Sequence, residues 1–507
     1  MSASQTEDSN AKPEAPAEHF DVLVIGAGIA GIGAARGLQE NCPGKTYVVL
    51  DAMESFGGTW HCHTYPGIRS DSDLYTFGYK FKPWIGNPIA SREAILRYLG
   101  EVIDEYDLDK NFRYGHRVQS ADWDSKYQIW TLRVDTGTHV QTFTGNFLWM
   151  CPGYYRHSKG YQPDWPDADK FEGTFVHPQT WPDGLNTQDK RVIVIGSGAT
   201  AATLVPALAG KCKSLTMLQR SPTYFVPAEN RNRLANMLRE IEIDEQTIHE
   251  IVRKKYVYDQ GRFLQKTLTH PDEATEDLLK PLREYLTQDQ IDEHFTPKYR
   301  PWHQRIAVVP DGDLLKAIRD GEAEIVTDHI DRFDETGIHL KSGRHVEADI
   351  VVTATGFSMN VMGDIEMKVD GAAVDFADVI TYRGFMYTGV PNMAAMFISY
   401  LRAASYTLKV DLVVDVVTRL LNHMDETGSS MVEVALRPQD QGMELEPLIN
   451  PKIFNPGLLQ RHLHELPKCG DKEEWRLSQD YWTEKDVLPT LDFTAPEFVY
   501  SKETADA

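Results

Sequence analysis

Gly26-Ala27-Gly28-Ile29-Ala30-Gly31 follows directly on the apolar run Val22-Leu23-Val24-Ile25. Gly196-Ser197-Gly198-Ala199-Thr200-Ala201 follows in the same way on Val192-Ile193-Val194-Ile195. Each stretch reads as a strand, a tight turn and small residues that open a helix. That order lets backbone N–H groups and the helix N-terminus meet a pyrophosphate. The residues that close the next strands differ in charge. Asp51 ends Tyr47-Val48-Val49-Leu50, where a carboxylate accepts hydrogen bonds from an unmodified adenosine ribose. Arg220, followed by Ser221, ends Leu215-Thr216-Met217-Leu218, where a cation suits a ribose carrying a 2′-phosphate. A single glycine fingerprint is weak, because glycine turns before helices are common. Two of them, in context and with opposite charge logic, predict an α/β protein with two Rossmann-like dinucleotide-binding domains. One site is for FAD or NAD and the other for NADP, which points to a flavoenzyme that takes electrons from NADPH.

Composition agrees with that reading. The chain has 507 residues, 41% hydrophobic and 25% charged, enough for two or three domains with sizeable cores. A formal charge of −23 repels polyanions and excludes nucleic acid and anionic membranes as expected partners. Cys42, Cys62, Cys151, Cys212 and Cys469 are scattered, with no CxxC pair. They fit a reducing compartment and count against a disulfide reductase, which needs a redox-active cysteine pair beside its flavin. No run approaches a membrane span and the N-terminus lacks a signal-peptide pattern, so a cytoplasmic monomer is expected.

Along the chain, residues 1–19 are polar, acidic and proline-containing, and predict a disordered arm. Residues 20–155 and 356–507 form the expected FAD domain. Residues 165–222 and 306–350 form the NADP domain, with a helical insertion over 223–303. Within the insertion Leu234, Met237, Leu238 and Ile241 fall at helical spacing. Residues 408–424 predict an amphipathic helix carrying Lys409, Asp411, Asp415 and Arg419. His61 and His63 flank Cys62, but three alternating ligands on one strand cannot converge on a metal, so no metal site is expected.

The connector between the domains contains Phe171-Glu172-Gly173-Thr174-Phe175-Val176-His177-Pro178-Gln179-Thr180-Trp181-Pro182. It resembles, position by position, the FxGxxxHxxxWP signature of Baeyer–Villiger monooxygenases, which insert oxygen beside a ketone carbonyl. The N- and S-oxidising flavin-containing monooxygenases lack the Trp181-Pro182 ending. The resemblance runs from about 20 to 490 and is closest to the branch with the mycobacterial ethionamide-activating monooxygenase. The stretches that carry it include Gly57-Gly58-Thr59-Trp60, residues 65–73, residues 194–209 and residues 218–224.

What the resemblance implies is specific. Gly58 and Thr59 join the FAD site, with Trp60 packed on the flavin domain, and Gly356 lies at a cofactor. Gly26, Gly28, Gly31 and Asp51 hold FAD. Gly196, Gly198, Ala199, Thr200, Arg220, Ser221 and Gln304 hold NADPH. Many members of the family carry a lysine where Gln304 stands, which leaves more of the phosphate preference to Arg220 and Ser221. Gly173, His177 and Trp181 belong to a hinge that couples NADP binding to domain position. Arg305 matches the arginine over the flavin and Asp71 its carboxylate partner, holding a cation for the anionic C4a-peroxyflavin and its adduct. Ser399-Tyr400-Leu401-Arg402-Ala403-Ala404-Ser405-Tyr406 matches a loop that lines the substrate pocket, about two residues longer here. Arg402 there is either a second cation near the substrate or, as the favoured reading, a solvent-pointing arginine. The implied reaction converts a ketone to an ester or lactone with NADPH and O₂, with sulfide oxidation as a side reaction. The alternatives are an N- or S-oxygenating enzyme, an uncoupled NADPH oxidase, or a flavin-binding redox partner or sensor.

Overall fold

A computed structural model describes residues 14–502, Ser399 and Ala403 excepted. Residues 1–13 of the expected arm lie outside the described residues. Residues 14–19 correct that expectation. They belong to the strand Glu14–Ile25, which pairs in parallel along Val140–Met150. Backbone pairing with this long neighbour needs no apolar side chains, so composition alone hides it.

In the first domain a nine-stranded sheet runs in the order Ala372–Ala373, Glu366–Val369, Arg117–Asp124, Ile129–Asp135, Val140–Met150, Glu14–Ile25, Tyr47–Leu50, Phe112–Arg113. Met393–Ala395 is its ninth strand and also pairs with Val140–Met150. The central strands are apolar without alternation, as both faces are covered: Val22, Leu23 and Val24 have no exposed surface. One cover is the helix Ile29–Asn41, which packs against the long helix Tyr406–Thr427. Gly33 and Gly37, one turn apart, leave the room that Val410 and Val414 fill.

The second domain holds a five-stranded parallel sheet in the order Glu324–Thr327, Ser214–Gln219, Arg191–Ile195, Ile350–Thr353, Thr174–Val176. Its edge strand comes from the proline-rich connector, and its strand Ile350–Thr353 runs past the expected boundary at 350. Tyr155–Gly160 leads in and Phe357–Met359 leads out, and the two linkers pair antiparallel.

The insertion starts as a strand rather than a helix: Phe225–Ala228 pairs with Ala307–Pro310. The helices Arg233–Glu240, Glu245–Thr269, Pro271–Leu279 and Gln288–His294 follow. Leu234 and Leu238 pack on the core, but Met237 and Ile241 are exposed, so half of the predicted stripe faces out. The long helix Glu245–Thr269 clasps the first domain through Arg253. Its Nη1 donates to the carbonyls of Tyr75, Thr76 and Gly78 at 2.8–3.2 Å, and Nη2 pairs with Asp411 at 2.6 Å. A buried guanidinium thus satisfies the last carbonyls of the short helix Leu74–Phe77.

Candidate functional site

Both glycine loops are built alike. Gly26 has φ +104° and Gly196 φ +137°, and a Cβ on either would meet a carbonyl ending the neighbouring parallel strand. That carbonyl is Cys151 O at 2.4 Å for Gly26 and Ala354 O at 2.2 Å for Gly196. The helices behind the loops start at Gly28 and Gly198, neither with a side-chain cap, so their first N–H groups are left for a ligand. At Gly31 a Cβ would fall 1.7 Å from Gly26 O, which fixes that residue, whereas the second loop has Ala201 there.

The first cradle is completed by Gly57-Gly58. Gly57 N donates to Ala27 O at 2.9 Å, and a Cβ on Gly58 would come 3.2 Å from Gly28 Cα. Two bare backbones thus approach closely, just before the turn of helix Thr59–Cys62. Asp51, 8% exposed, accepts from Ala27 N at 2.6 Å and Met53 N at 2.7 Å. It ties the loop to the strand end, and each oxygen keeps a lone pair for a ribose hydroxyl. Burial raises its carboxyl above the ordinary value despite those N–H groups. Trp60 stands edge-on to Phe77 with ring centroids 5.9 Å apart, and its carbonyl accepts from Arg92.

In the second cradle Gly198, Ala199, Arg220 and Ser221 are exposed and Thr200 and Gln304 half-buried. Ser197 Oγ bridges to Ser221 O and Thr223 Oγ1 at 3.2 and 2.9 Å, holding the strand end against the loop. Among the described residues Arg220 has no ion pair or hydrogen bond, so its guanidinium is free for an anion. The residues present therefore fit an unmodified dinucleotide in the first cradle and a 2′-phosphorylated one in the second.

Between the cradles the two domains meet. The turn after Ile68 brings Arg69 to Asp313 of the second domain at 2.5 Å and to Ala202 O at 3.3 Å. Ser70 Oγ ties Ser72, which fixes the intervening Asp71. Arg305, just before the strand Ala307–Pro310, sets Nη2 at 3.2 and 3.3 Å from the Asp71 carboxylate. The side chains keep 43% and 25% of their surface open, so the pair is reachable from outside the protein. The Asp71 carboxylate raises the guanidinium pKa further, so the cation is permanent. Tyr154 and Tyr155 stand beside the pair, with their hydroxyls 3.3 Å apart. Tyr155 stacks obliquely on Phe357 at 4.5 Å, and Phe357 on His63 at 5.1 Å. These aromatics escaped the sequence reading, since tyrosines after Cys151-Pro152-Gly153 carry no spacing signal.

His177 lies over the paired linkers. Gln179 N donates to its Nδ1 at 3.2 Å, so Nε2–H donates to Gly356 O at 3.1 Å. The same Gly356 carbonyl accepts Tyr161 N at 3.1 Å. The ring fills the space a side chain on Gly160 would need, with a Cβ there 2.1 Å from it. Gly173 is pinned by the Phe171 ring and Asp349 O, and Trp181 is half-buried against the second domain's core. His177 is therefore a fastener between linkers, held neutral by burial. His63 packs near it, 2% exposed, its Nε2 without a partner, and burial pushes it down to about 3.

Arg402 departs from the expectation. It is 7% exposed, not solvent-pointing. Two of the four charges on the predicted amphipathic helix depart as well, whereas Asp415 and Arg419 pair on its open face. Lys409 is 1% exposed and pairs with Glu484 at 2.7 Å, and Asp411 pairs with Arg253. No helix among the described residues is long and apolar enough to cross a membrane.

Comparison with known proteins bears on this site. Residues 20–277 match the family of pyridine nucleotide-disulphide oxidoreductases. The FAD-containing monooxygenase EthA of Mycobacterium tuberculosis is 43% identical over 467 residues, 92% of this chain and 94% of that protein. The probable FAD-binding monooxygenase AlmA of Acinetobacter baylyi is 40% identical over 490 residues, 96% of this chain and 97% of its own. Among solved structures, a steroid monooxygenase bound to NADP is 27% identical with TM-score 0.67, covering 83% of this chain and 88% of that one. The open form of a cyclohexanone monooxygenase shares the fold at TM-score 0.70 and 22% identity, with 83% and 90% covered.

Proposed function

The chain belongs to the family of FAD-containing monooxygenases, an FAD- and NADP-dependent flavoprotein, and on that premise we propose that it oxygenates ketones to esters or lactones. Sulfide oxidation is the side reaction. In balance, ketone, O₂, NADPH and a proton give ester, NADP⁺ and water. The observation that carries this reading is the Arg305–Asp71 pair, a fixed cation where the two domains meet.

Reduced FAD, when bound, supplies activated dioxygen. The protein's own residues do the rest. Gly26, Gly28, Gly58 and Asp51 hold the adenosine and pyrophosphate end of FAD, and Gly198, Arg220 and Ser221 hold NADPH by its phosphates. Arg305 offers its guanidinium to negative charge on oxygen as it develops during attack on a carbonyl. Asp71 holds that guanidinium in one orientation beside Tyr154 and Tyr155 and offsets the cost of withdrawing part of a cation from water. His177 keeps the linkers in register, so that the second domain presents NADPH at a defined place.

A soft sulfur centre needs no cation for an oxygen anion, because it donates electrons to oxygen rather than receiving them. The two reactions therefore separate in one experiment. Purified holoenzyme is given NADPH, isotopically labelled dioxygen and a panel of cyclic and linear ketones and sulfides, and products are read by mass spectrometry. Labelled ester or lactone is the expected result. Labelled sulfoxide without any ester would replace the proposal by S-oxygenation. Hydrogen peroxide alone would make the protein an NADPH oxidase or redox partner.

A further inference from the structure

A cleft of ≈ 1420 Å³ opens between the long helix Glu245–Thr269 and residues 446–482, and Arg402 forms part of its wall. At 7% exposure this arginine is almost wholly withdrawn from water. Neither Nε nor Nη2 of its guanidinium has a hydrogen-bond partner. The charged neighbour it feels is another cation, Arg300, and burial with that repulsion lowers its pKa to about 10. Arg300 itself reaches only the carbonyls of Pro301 and Ile453, at 3.5 and 3.4 Å. Among the described residues neither arginine forms an ion pair. Two other cations on the same wall are neutralised, Lys266 by Asp277 at 2.6 Å and Arg476 by Glu446 at 3.4 Å, while Arg262 stands over the Tyr258 ring at 5.8 Å.

A buried charge without a counter-ion is unfavourable, and a long side chain ordinarily relieves it by reaching for solvent. The loop here prevents that. Tyr400 Oη donates to the Glu484 carboxylate, which Lys409 holds at 2.7 Å. Leu401 N donates to Gln479 Oε1 at 2.8 Å, and Ser405 Oγ bonds Thr76 Oγ1 at 2.6 Å. Arg402 is thus clamped on both sides, with Nε and Nη2 unpartnered and themselves closed off from water. A planar guanidinium is the natural counter-ion of a carboxylate. Leu264, Leu268, Leu448, Ile449, Phe454 and Leu477 give the wall an apolar stretch, beside polar residues that include Asp259, Glu473 and Asp480. The cleft also adjoins the reactive segment, since Asn455 N donates to His303 O at 2.9 Å, two residues before Arg305.

We propose that this cleft receives the anionic end of the substrate, a carboxylate on an apolar chain, with Arg402 as its counter-ion and Arg300 strengthening the field. The inference rests on the oxygenase reading and narrows it: the substrates are keto acids rather than neutral ketones. The carboxylate pairs with the charge of the Arg402 guanidinium, and the chain lies along the leucines toward the Arg305 side.

The test uses the FAD-loaded enzyme. Binding of decanoate, methyl decanoate and decyl phosphate is measured by titration calorimetry for wild type, Arg402→Gln and Arg402→Lys. Steady-state kinetics follow for an oxodecanoate and its methyl ester. Decanoate is expected to bind about ten- to a hundredfold more tightly than its methyl ester, the scale of a charge-assisted hydrogen bond. Arg402→Gln should erase that preference, Arg402→Lys should keep part of it, and the keto acid's advantage should lie in KM. Arg402→Gln should also melt no lower than wild type, because an unpaired buried charge is removed, so lost binding is not lost folding. Equal binding of acid and ester, or a preference that survives Arg402→Gln, overturns the proposal, and tighter binding of decyl phosphate overturns the choice of carboxylate. Neutral ketones oxygenated without preference for the acid sink the anion site alone. Decanoate held through Arg402 with no product from any ketone or sulfide sinks the oxygenase reading alone.

Discussion

At the scale of single residues, the role proposed for Arg305 divides the proposed reaction in two. Hydride transfer from NADPH to flavin needs no cation for an oxygen anion, whereas attack on a carbonyl does. Arg305→Ala is therefore expected to go on oxidising NADPH and consuming oxygen while releasing hydrogen peroxide. Ester formation should fall by at least about a hundredfold, comparable to removing an oxyanion-stabilising donor. Asp71→Ala should share that phenotype, since the guanidinium loses its 3.2 Å partner. Near-normal coupling in Arg305→Ala, or a defect confined to NADPH affinity, would reassign Arg305 to phosphate binding. Arg220 acts elsewhere. With its exposed guanidinium unpartnered, Arg220→Ala should weaken NADPH roughly ten- to a hundredfold and leave NADH nearly unchanged, as read from KM for each coenzyme. Equal losses would make the residue structural. Asp51 and Arg220 were legible because each closes a strand at a fixed distance from its glycine loop. Arg305 and Asp71, 234 positions apart, are joined only by the fold, and only the family resemblance pointed to them. Nothing in a loop sequence reveals that Arg402 is buried.

At the scale of elements, the strands around both glycine loops could be read because unbroken apolar runs between turns have one reading in a covered parallel sheet. Elsewhere periodicity located helices but not the surroundings of their side chains. Lys409 sits on a helix whose neighbours supply Glu484, and a buried ion pair looks like surface polarity in a sequence. Met237 and Ile241 mark helical spacing but face outward. The loop ending at Tyr406 is held by Tyr400, Leu401 and Ser405, with Arg402 between these anchors. Removing two residues from 399–406 should change which ketones are accepted while flavin reduction by NADPH, followed by stopped-flow absorbance, stays near normal. An unchanged ketone profile would place the loop away from the substrate.

At the scale of the whole molecule, histidines withdrawn from water make stability depend on pH. Burial lowers His63 from 6.5 to about 3 and His249 to about 4. The unfolded chain binds protons at these positions that the folded one refuses. Their contribution is complete above pH 6.5 and is lost as pH falls toward the folded values, at up to about 1.4 kcal/mol per pH unit for each group. Asp73 opposes them: burial raises its carboxyl to about 6, so acidification relieves the cost of its charge between 6 and its ordinary 3.8. The histidine effect is thus cleanest just below pH 6.5. His63→Phe, among Tyr65 and Phe357, should lose less Tm than wild type between pH 7 and 6. An identical loss would show that His63 takes up its proton in the folded protein as readily as in the unfolded chain.

The antiparallel linkers carry one further consequence, for the order in which the chain is completed during synthesis. Val410 closes against Gly33, yet 377 positions separate them. At about 5 to 20 residues per second, the first glycine loop waits roughly 20 to 75 seconds for its covering helix. Every strand of the five-stranded sheet, from Thr174 to Thr353, has emerged by then. The inserted domain can therefore finish before the domain that surrounds it, and the nascent N-terminus meets a folded neighbour rather than a folded partner helix. A chain stopped after residue 360 is expected to bind an adenosine bisphosphate resin while remaining colourless, with the apolar face of Ile29–Asn41 uncovered and open to chaperones. Retention of FAD by that fragment would show that the first domain closes without its last helix.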